Sequence, residues 1–312
     1  MHIKSLHLRN FKQFSDFSLS ARDVNVLVGP NNSGKSTTLD ALRICQDVLR
    51  FASRRVPTNE RHNGDGICQT YTISESLLSI PIVNVVRNFR AEDAEIIIKS
   101  VNGPVLIIRL HPDHQLKAYI VNSPRAITNS RIFSELFPIK IVVVPTLGPF
   151  ESEENYLTDE TVQRNEGTRL AHRNFRNIIY RMDDGNFQEF SRLVRDAWVG
   201  IEIRKPAINT SSFPRAMDIF YEENRMPREI GWSGFGLQVW MQMMLHMIKG
   251  GRDKILVMDE PDIYLHPDLQ KKLFRISKER FGQLFIGTHS TEIINEANPG
   301  QILSISSAVD FH

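Results

Sequence analysis

Apolar positions along the chain fall into short runs whose spacing predicts buried strands alternating with helices. Val24 to Val28 is such a run, of the length of a strand covered on both faces. After a polar, glycine-containing segment, Thr38, Ala41, Leu42, Cys45, Val48 and Leu49 recur at helical spacing and predict an amphipathic helix. Toward the other end, Lys254 to Asp259 and Gln283 to Gly287 predict two further buried strands, and Val239 to Ile248 an apolar helix. Strands that alternate with helices predict an α/β fold with a largely parallel sheet.

The centre of the chain follows a different pattern. Ala94 to Lys99, Pro104 to Leu110 and Lys117 to Val121 predict consecutive short strands, with turn signals at Asn102-Gly103 and Pro112-Asp113, and Ile80 to Val86 predicts another. Ser53 to Gln69 is polar and predicts a loop, whereas 166–182 and 186–198 predict helices and 208–221 a turn leading into a strand. Prolines at 57, 81, 104, 112, 124, 138, 145 and 149 interrupt any long helix and exclude a coiled-coil arm. The expected organisation is one discontinuous core, 1–50 with 225–312, interrupted by a β-rich and helical lobe over 51–224.

Composition narrows the classes. The chain's 312 residues, 41% of them hydrophobic, suffice for one substantial core with an inserted lobe. Cys45 and Cys68 are too few for a disulfide framework and lack metal-ligand spacing. No signal peptide and no bilayer-length apolar run is read, so the expectation is a cytoplasmic protein without membrane contact. A formal net charge of +2 requires any nucleic-acid contact to come from a local patch.

The chemistry sits at the ends of the predicted core strands. Gly29-Pro-Asn-Asn-Ser-Gly-Lys-Ser-Thr37 matches G-x-x-x-x-G-K-[ST], between a strand and a helix as that phosphate loop requires. Gly29 and Gly34 let the backbone wrap an anion, with Asn32, Ser33 and Thr37 in the same loop. Lys35 is expected to reach the β- and γ-phosphates of ATP, and Ser36 to place its hydroxyl on Mg²⁺. Asp259 and Glu260 close the apolar strand 254–259 and read as a Walker B pair, Asp259 holding Mg²⁺ and Glu260 acting as general base toward the attacking water. His289, at the end of the strand from Gln283, is a candidate γ-phosphate sensor and with Lys35 and Glu260 completes the candidate catalytic set. Ser233 and Gly234, followed by Gly236, predict a serine-capped helix N-terminus able to bind an anion.

Elsewhere, Arg169, His172, Arg173 and Arg176 recur on one face of a predicted helix. They read as a nucleic-acid backbone grip, a contact to nucleotide across a dimer interface, or a solvated face. Arg43, Arg50, Arg54 and Arg55 form a second basic set that reads more simply as solvated. His111, Asp113 and His114 lie at a turn without a distant further ligand, and Asp183-Asp184-Gly185 reads as a helix-terminating turn, so neither indicates a metal or nuclease centre.

A serine-glycine helix start before a Walker B strand, with a histidine-bearing strand after it, resembles the ABC-class ATPases, with Phe235 where many relatives have a second glycine. The opening Ile3 to Phe14 resembles the members that act in DNA metabolism. Asp259-Glu-Pro-Asp-Ile-Tyr-Leu-His-Pro267 with Thr288-His-Ser290 resembles the overcoming-lysogenization-defect (OLD) family and related prokaryotic defence ATPases. That resemblance implies an ABC-class P-loop core and a homodimer or higher even-numbered oligomer, in which Ser233 and Gly234 serve the phosphate held by a second subunit. It also implies control of a nuclease, Toprim or other, on a further C-terminal region or a separate chain, in DNA transactions or antiphage immunity. No Toprim segment is read in the sequence. The competing reading is a module in which ATP holds an assembly together without turnover. Glu260 speaks against it, because a structural site needs no base; a transporter subunit is disfavoured by Asn10-Phe11 and by Leu265-His266-Pro267.

Overall fold

The computed structural model describes residues 2–306 apart from 63–65, 88–91, 112–114, 146, 166–170 and 212. In chain order, β1 (Ile3–Phe11), β2 (Phe14–Ser20) and β3 (Val24–Val28) lead into α1 (Lys35–Ala52). Then come β4 (Thr58–His62), β5 (Gly66–Ser74), β6 (Ala94–Ser100), β7 (Val105–His111), β8 (Gln115–Val121), α2 (Ser130–Leu136) and β9 (Lys140–Val143). Next are α3 (Asp159–Asn165), α4 (Phe175–Tyr180), α5 (Asp184–Arg195), β10 (Ile201–Ile203), β11 (Ala207–Asn209), β12 (Ala216–Asp218), β13 (Phe220–Glu223), β14 (Met226–Glu229) and α6 (Phe235–Met247). The chain closes with β15 (Gly251–Asp259), α7 (Pro267–Arg280), β16 (Phe281–Gly287), α8 (Thr291–Glu296) and β17 (Ile302–Ser304).

Two compact units result: residues 1–143, 251–260 and 277–312, and residues 144–250 with 261–276. The first contains a five-stranded sheet in the order β17-β3-β16-β15-β9, every pair parallel. Its central strands are apolar on both faces, as expected for a sheet covered on both sides. Asn25 is buried yet satisfied, donating to the Arg22 and Leu284 carbonyls at 2.7 and 2.8 Å and accepting from the Arg22 amide. Register aligns Leu27 with Gly287 and Gly287 with Asp259, so β3, β16 and β15 end side by side at their C-terminal edge. That edge is where open parallel sheets bind ligands.

The same unit holds a seven-stranded antiparallel sheet, β2-β1-β6-β7-β8-β5-β4. Leu6 and Leu8 face Ile98 and Ile96 across β1 and β6, and these side chains are fully buried. Gln283 joins the two sheets, accepting from the Ile3 amide and donating to the Ile3 and Arg22 carbonyls at 2.9 Å each. The division of the chain therefore differs from a single insertion over 51–224. β1 leaves a ladder edge that β6 completes, so β4 to β8 extend the N-terminal hairpin's sheet, and 144–250 with 261–276 forms a unit of its own.

Other local expectations change as well. The polar stretch 53–69 is not one loop: its described residues include β4 and the start of β5, paired from Thr58–Thr70 to His62–Gly66. Ile80 to Val86 is a 3₁₀ turn over Ile82–Asn84 with a single bridge from Val86 to Phe11, because the amide of Ile82 is taken by Glu75 Oε1. Of the helix expected over 166–182, the described residues form α4, preceded by a 3₁₀ turn at Ala171–Asn174; 166–170 lie outside the described residues.

The second unit carries α3 to α6 and most of α7, with β10-β13-β14 and β11-β12 as two small antiparallel sheets. Its α6 is buried from Leu237 to Met247, with Gln238, Gln242 and His246 as a polar stripe one turn apart. Burial lowers the His246 pKa to about 3, so its ring is neutral at physiological pH.

Candidate functional site

β3 ends at Val28 and the chain turns through residues 29–34 into α1, with Gly29 at φ +156°, Asn32 at +64° and Gly34 at +110°. Both glycines are required twice over, by φ and by space. A Cβ on Gly29 would stand 2.4 Å from the Ile305 carbonyl oxygen, and one on Gly34 would stand 2.2 Å from the Phe14 ring. The turn between β1 and β2 thus packs against the loop, where Gln13 Nε2 donates to the Asn32 carbonyl at 3.1 Å. Together Gln13, Asn31 to Thr37 and Glu260 line a cavity of about 230 Å³.

Lys35 is buried at the head of α1. Its ammonium donates to the Gly29 and Pro30 carbonyls at 2.9 and 3.0 Å and contacts His289 Nε2 at 2.9 Å. An ammonium has no lone pair, so Nε2 of His289 is the acceptor here and the ring proton is on Nδ1. Any anion entering the loop competes with these acceptors for the lysine. Ser33 is buried, and its hydroxyl is among the described side-chain groups without a partner.

Across the strand ends, the Asp259 carboxylate accepts a hydrogen bond from the Ser36 hydroxyl. Its Oδ1 is buried without a partner, and burial holds the carboxyl above its ordinary range despite that hydrogen bond and the nearby Arg43. An unmet carboxylate oxygen beside a hydroxyl is the donor set of a hard cation, and it fits Mg²⁺. Among the described residues no cluster of three or more His, Cys, Asp or Glu offers another metal site. Glu260 adopts φ +47°, with its amide donating to the Gly287 carbonyl at 2.8 Å. Its side chain turns toward the cavity, with Oε1 3.9 Å from His289 Nε2. Lys35, Ser36, Asp259, Glu260 and His289 are therefore assembled in one unit from β3, β15 and β16.

Ser233, Gly234 and Gly236 belong to the second unit. The N-cap of α6 is Gly234 and not Ser233, because the Ser233 hydroxyl donates back to the Ile230 carbonyl at 2.7 Å while the first helical amides meet the Gly234 carbonyl. Gly236 lies against the Tyr264 carbonyl, where a Cβ would be 3.2 Å away, and Phe235 meets the Tyr264 ring edge-on.

The basic helix face does not form as expected. Arg176 is buried among carboxylates, its guanidinium donating to Glu229 at 2.7 Å, which removes it from any nucleic-acid grip. Arg173 is exposed and paired with Glu151 at 3.1 Å, and Arg169 lies outside the described residues. In the second set, Arg43 is paired with Asp40 at 3.3 Å. Asp113 and His114 also lie outside the described residues. Among the described residues no helix is long and apolar enough to cross a membrane.

Two family models match the chain: an AAA ATPase domain over residues 1–141, and "AAA domain, putative AbiEii toxin, Type IV TA system" over residues 129–295. No curated protein matches it. Among solved structures, the Smc head bound to the C-winged helix domain of ScpA is similar over 98% of this chain and 94% of that one, with a TM-score of 0.58 at 17% identity. The Smc head domain with an extended coiled coil bound to the C-terminal domain of ScpA, from Pyrococcus furiosus, covers the same shares with a TM-score of 0.57 at 13% identity. At such identities the likeness speaks for the fold: an ABC-type P-loop ATPase of mixed α/β architecture.

Proposed function

The chain belongs to the AAA domain family whose model spans residues 129–295, and from that premise we propose that it is an ATP-hydrolysing switch acting as a head-to-tail pair of subunits. Residues 29–37 hold the triphosphate, with Lys35 exchanging its carbonyl and imidazole acceptors for β- and γ-phosphate oxygens. Ser36 and Asp259 would hold Mg²⁺, which when bound supplies positive charge against the phosphates. Glu260 orients a water and takes its proton as the water oxygen attacks the γ-phosphorus and the β–γ bridging oxygen leaves with ADP. His289, released by Lys35 and with its ring proton moved from Nδ1 to Nε2 through water, donates to the γ-phosphate and registers its loss. Ser233, Gly234 and Gly236 serve the nucleotide of the other subunit. The output is control of a nuclease or nucleic-acid effector in antiphage defence, in keeping with the resemblance to the OLD family; the second family's link to a toxin–antitoxin system supports a conflict role of the same kind. Arg176 takes no part in effector contact.

The observation that carries the hydrolytic reading is Glu260, whose amide is pinned to Gly287 while its carboxylate lines the loop's cavity beside His289. Steady-state ATPase and fluorescent-nucleotide binding test it. Lys35→Ala should lose nucleotide, and Glu260→Gln should bind ATP yet turn it over slower by roughly two orders of magnitude or more. Parental turnover in Glu260→Gln would remove Glu260 from the role of base, whereas nucleotide binding without turnover in the parent would favour an ATP-held assembly.

A further inference from the structure

The loop that leads into α6 is held from both sides by buried polar groups whose other ends lie on one segment, residues 148–154. Arg176 is 1% exposed, and each nitrogen of its guanidinium makes a hydrogen bond. Nε and Nη2 donate to Glu229 Oε1 at 3.2 and 2.7 Å, and Nη1 donates to the Glu151 carbonyl at 3.0 Å. The other oxygen of Glu229 accepts from the Gly231 amide at 2.6 Å, so the chain from guanidinium to carboxylate to amide ends two residues before Ser233. From the opposite side, Gln238 Nε2 donates to the Gly231 and Ser233 carbonyls at 3.1 and 2.9 Å, and its Oε1 accepts from the Phe150 amide at 2.9 Å. Gln242 adds a bond to the Gly148 carbonyl at 2.7 Å. The position of Arg176 is itself fixed, because Glu154 accepts from the Arg176 and Asn177 amides at 2.9 and 2.7 Å. Little slack remains at the junction: a Cβ on Gly231 would stand 2.8 Å from Glu229 Oε2.

Desolvating an arginine and two carboxylates is expensive, and apolar residues of the same volume fill such a space with no loss of stability. What apolar residues lack is direction. We propose that Arg176, acting through Glu229 and together with Gln238, is a positioning residue that fixes the conformation of residues 229–234 and hence how Ser233 and Gly234 are presented. This rests on the reading above that Ser233 and Gly234 serve a second subunit's nucleotide. The network also gives that loop a fixed link to the segment following β9.

The test uses the full chain carrying Glu260→Gln, with Arg176→Lys, Glu229→Gln and Gln238→Leu added singly. Lysine keeps the charge but cannot bridge Glu229 and Glu151 together. Glutamine at 229 can accept from Arg176 or from the Gly231 amide through its single oxygen, not from both. Hydrogen exchange in nucleotide-free protein should rise about tenfold or more across 229–238 in each variant and stay at the parental rate over 29–37. Binding of mant-ATP should stay within about twofold, while the ATP-dependent gain in mass by light scattering is lost or needs about tenfold more protein. Because Glu229 is partly exposed, Glu229→Gln decides the matter should Arg176→Lys fail to fold. Unchanged exchange over 229–238 in Glu229→Gln and Gln238→Leu overturns the proposal, and so does a rise spread evenly through the second unit, the mark of a scaffold only. If the Glu260→Gln protein itself gains no mass with ATP, the subunit-pairing reading fails, and the exchange measurement still decides the positioning role.

Discussion

Asp259 offers the sharpest separation between a residue that supports the fold and one that the fold tolerates for a ligand. Its Oδ1 is buried without a partner, and the Ser36 hydroxyl beside the carboxylate favours its charged form. A buried acceptor left unmet costs about 1–3 kcal/mol, more when it is charged. Asp259→Asn keeps the size and an acceptor for Ser36 but exchanges an unmet charged oxygen for an unmet neutral amide, so the nucleotide-free protein should gain the part of that cost due to the charge, about 1 kcal/mol. At ~2–4 °C per kcal/mol for a cooperative unit of 150–250 residues, its Tm should rise by a few degrees. Mg·ATP at a hundred times its Kd stabilises the native state by about 2.7 kcal/mol. On the proposed reading, in which Asp259 and Ser36 hold the cation, that increment should be lost or much reduced in Asp259→Asn. Thermal melts of parent and variant, each with and without Mg·ATP, read both effects: a higher baseline and a missing ligand shift. A variant that melts at or below the parent and keeps the full Mg·ATP shift would refute the argument and return Asp259 to the role of a strand end.

Two further substitutions test local claims. Gly34→Ala combines a left-handed φ, worth about 1–3 kcal/mol, with a clash against the Phe14 ring, whereas Gly103→Ala imposes nearly the same φ of +106° in open space. Gly34→Ala should therefore lose more stability than Gly103→Ala, and alone lose mant-ATP binding; equal melts and intact binding would show that the loop gives way. Asp47 is buried on α1, and desolvation raises its pKa above the ordinary 3.8 although the Ser79 amide donates to it. A folded-state pKa raised above the unfolded one gives stability below the ordinary value that is lost as pH rises toward the folded one. Asp47→Asn should thus grow more stable relative to the parent between pH 4 and 7 in urea unfolding, and a constant difference across that range would contradict the assignment.

The candidate nucleotide site was readable in the sequence because its parts are local. Residues 29–37 carry phosphate loop, glycines and lysine in one stretch, and 254–260 and 283–289 each pair a buried strand with the polar residues at its end. Parallel registration of β3, β16 and β15 then brings those ends together with no further information needed. What escaped is what depends on distant partners. β4 is polar because it is the edge strand of its sheet, so its alternation carries no apolar signal, and β17 is too short to register as a run. The Ser233 hydroxyl looked free to cap α6, but the 3₁₀ turn at Ile230–Trp232 brings the Ile230 carbonyl within its reach.

Arg176 shows the limit most sharply, and the reason is physical. Helical spacing groups it with Arg169 and Arg173, and a periodicity argument treats the three as equivalent charges facing water. Which of them can leave water depends on counter-charges supplied from elsewhere in the chain, here Glu154 from the segment after β9 and Glu229 from the end of β14. Those two carboxylates are far apart in sequence and follow no shared period, so nothing local marks them as a site. The informative sequence sign is a smaller one: Glu229 precedes Gly231, a glycine whose Cβ would collide with that carboxylate. A glutamate two residues before a glycine at a helix approach, with an arginine elsewhere to hold it, converts a surface charge into the support of a loop. The same reasoning predicts that exposed Arg173, paired with half-exposed Glu151, contributes little, because a solvent-screened pair is worth ~0–1 kcal/mol. Arg173→Ala should therefore leave Tm within about 4 °C of the parent, and a larger drop would place Arg173 inside the network that holds Arg176.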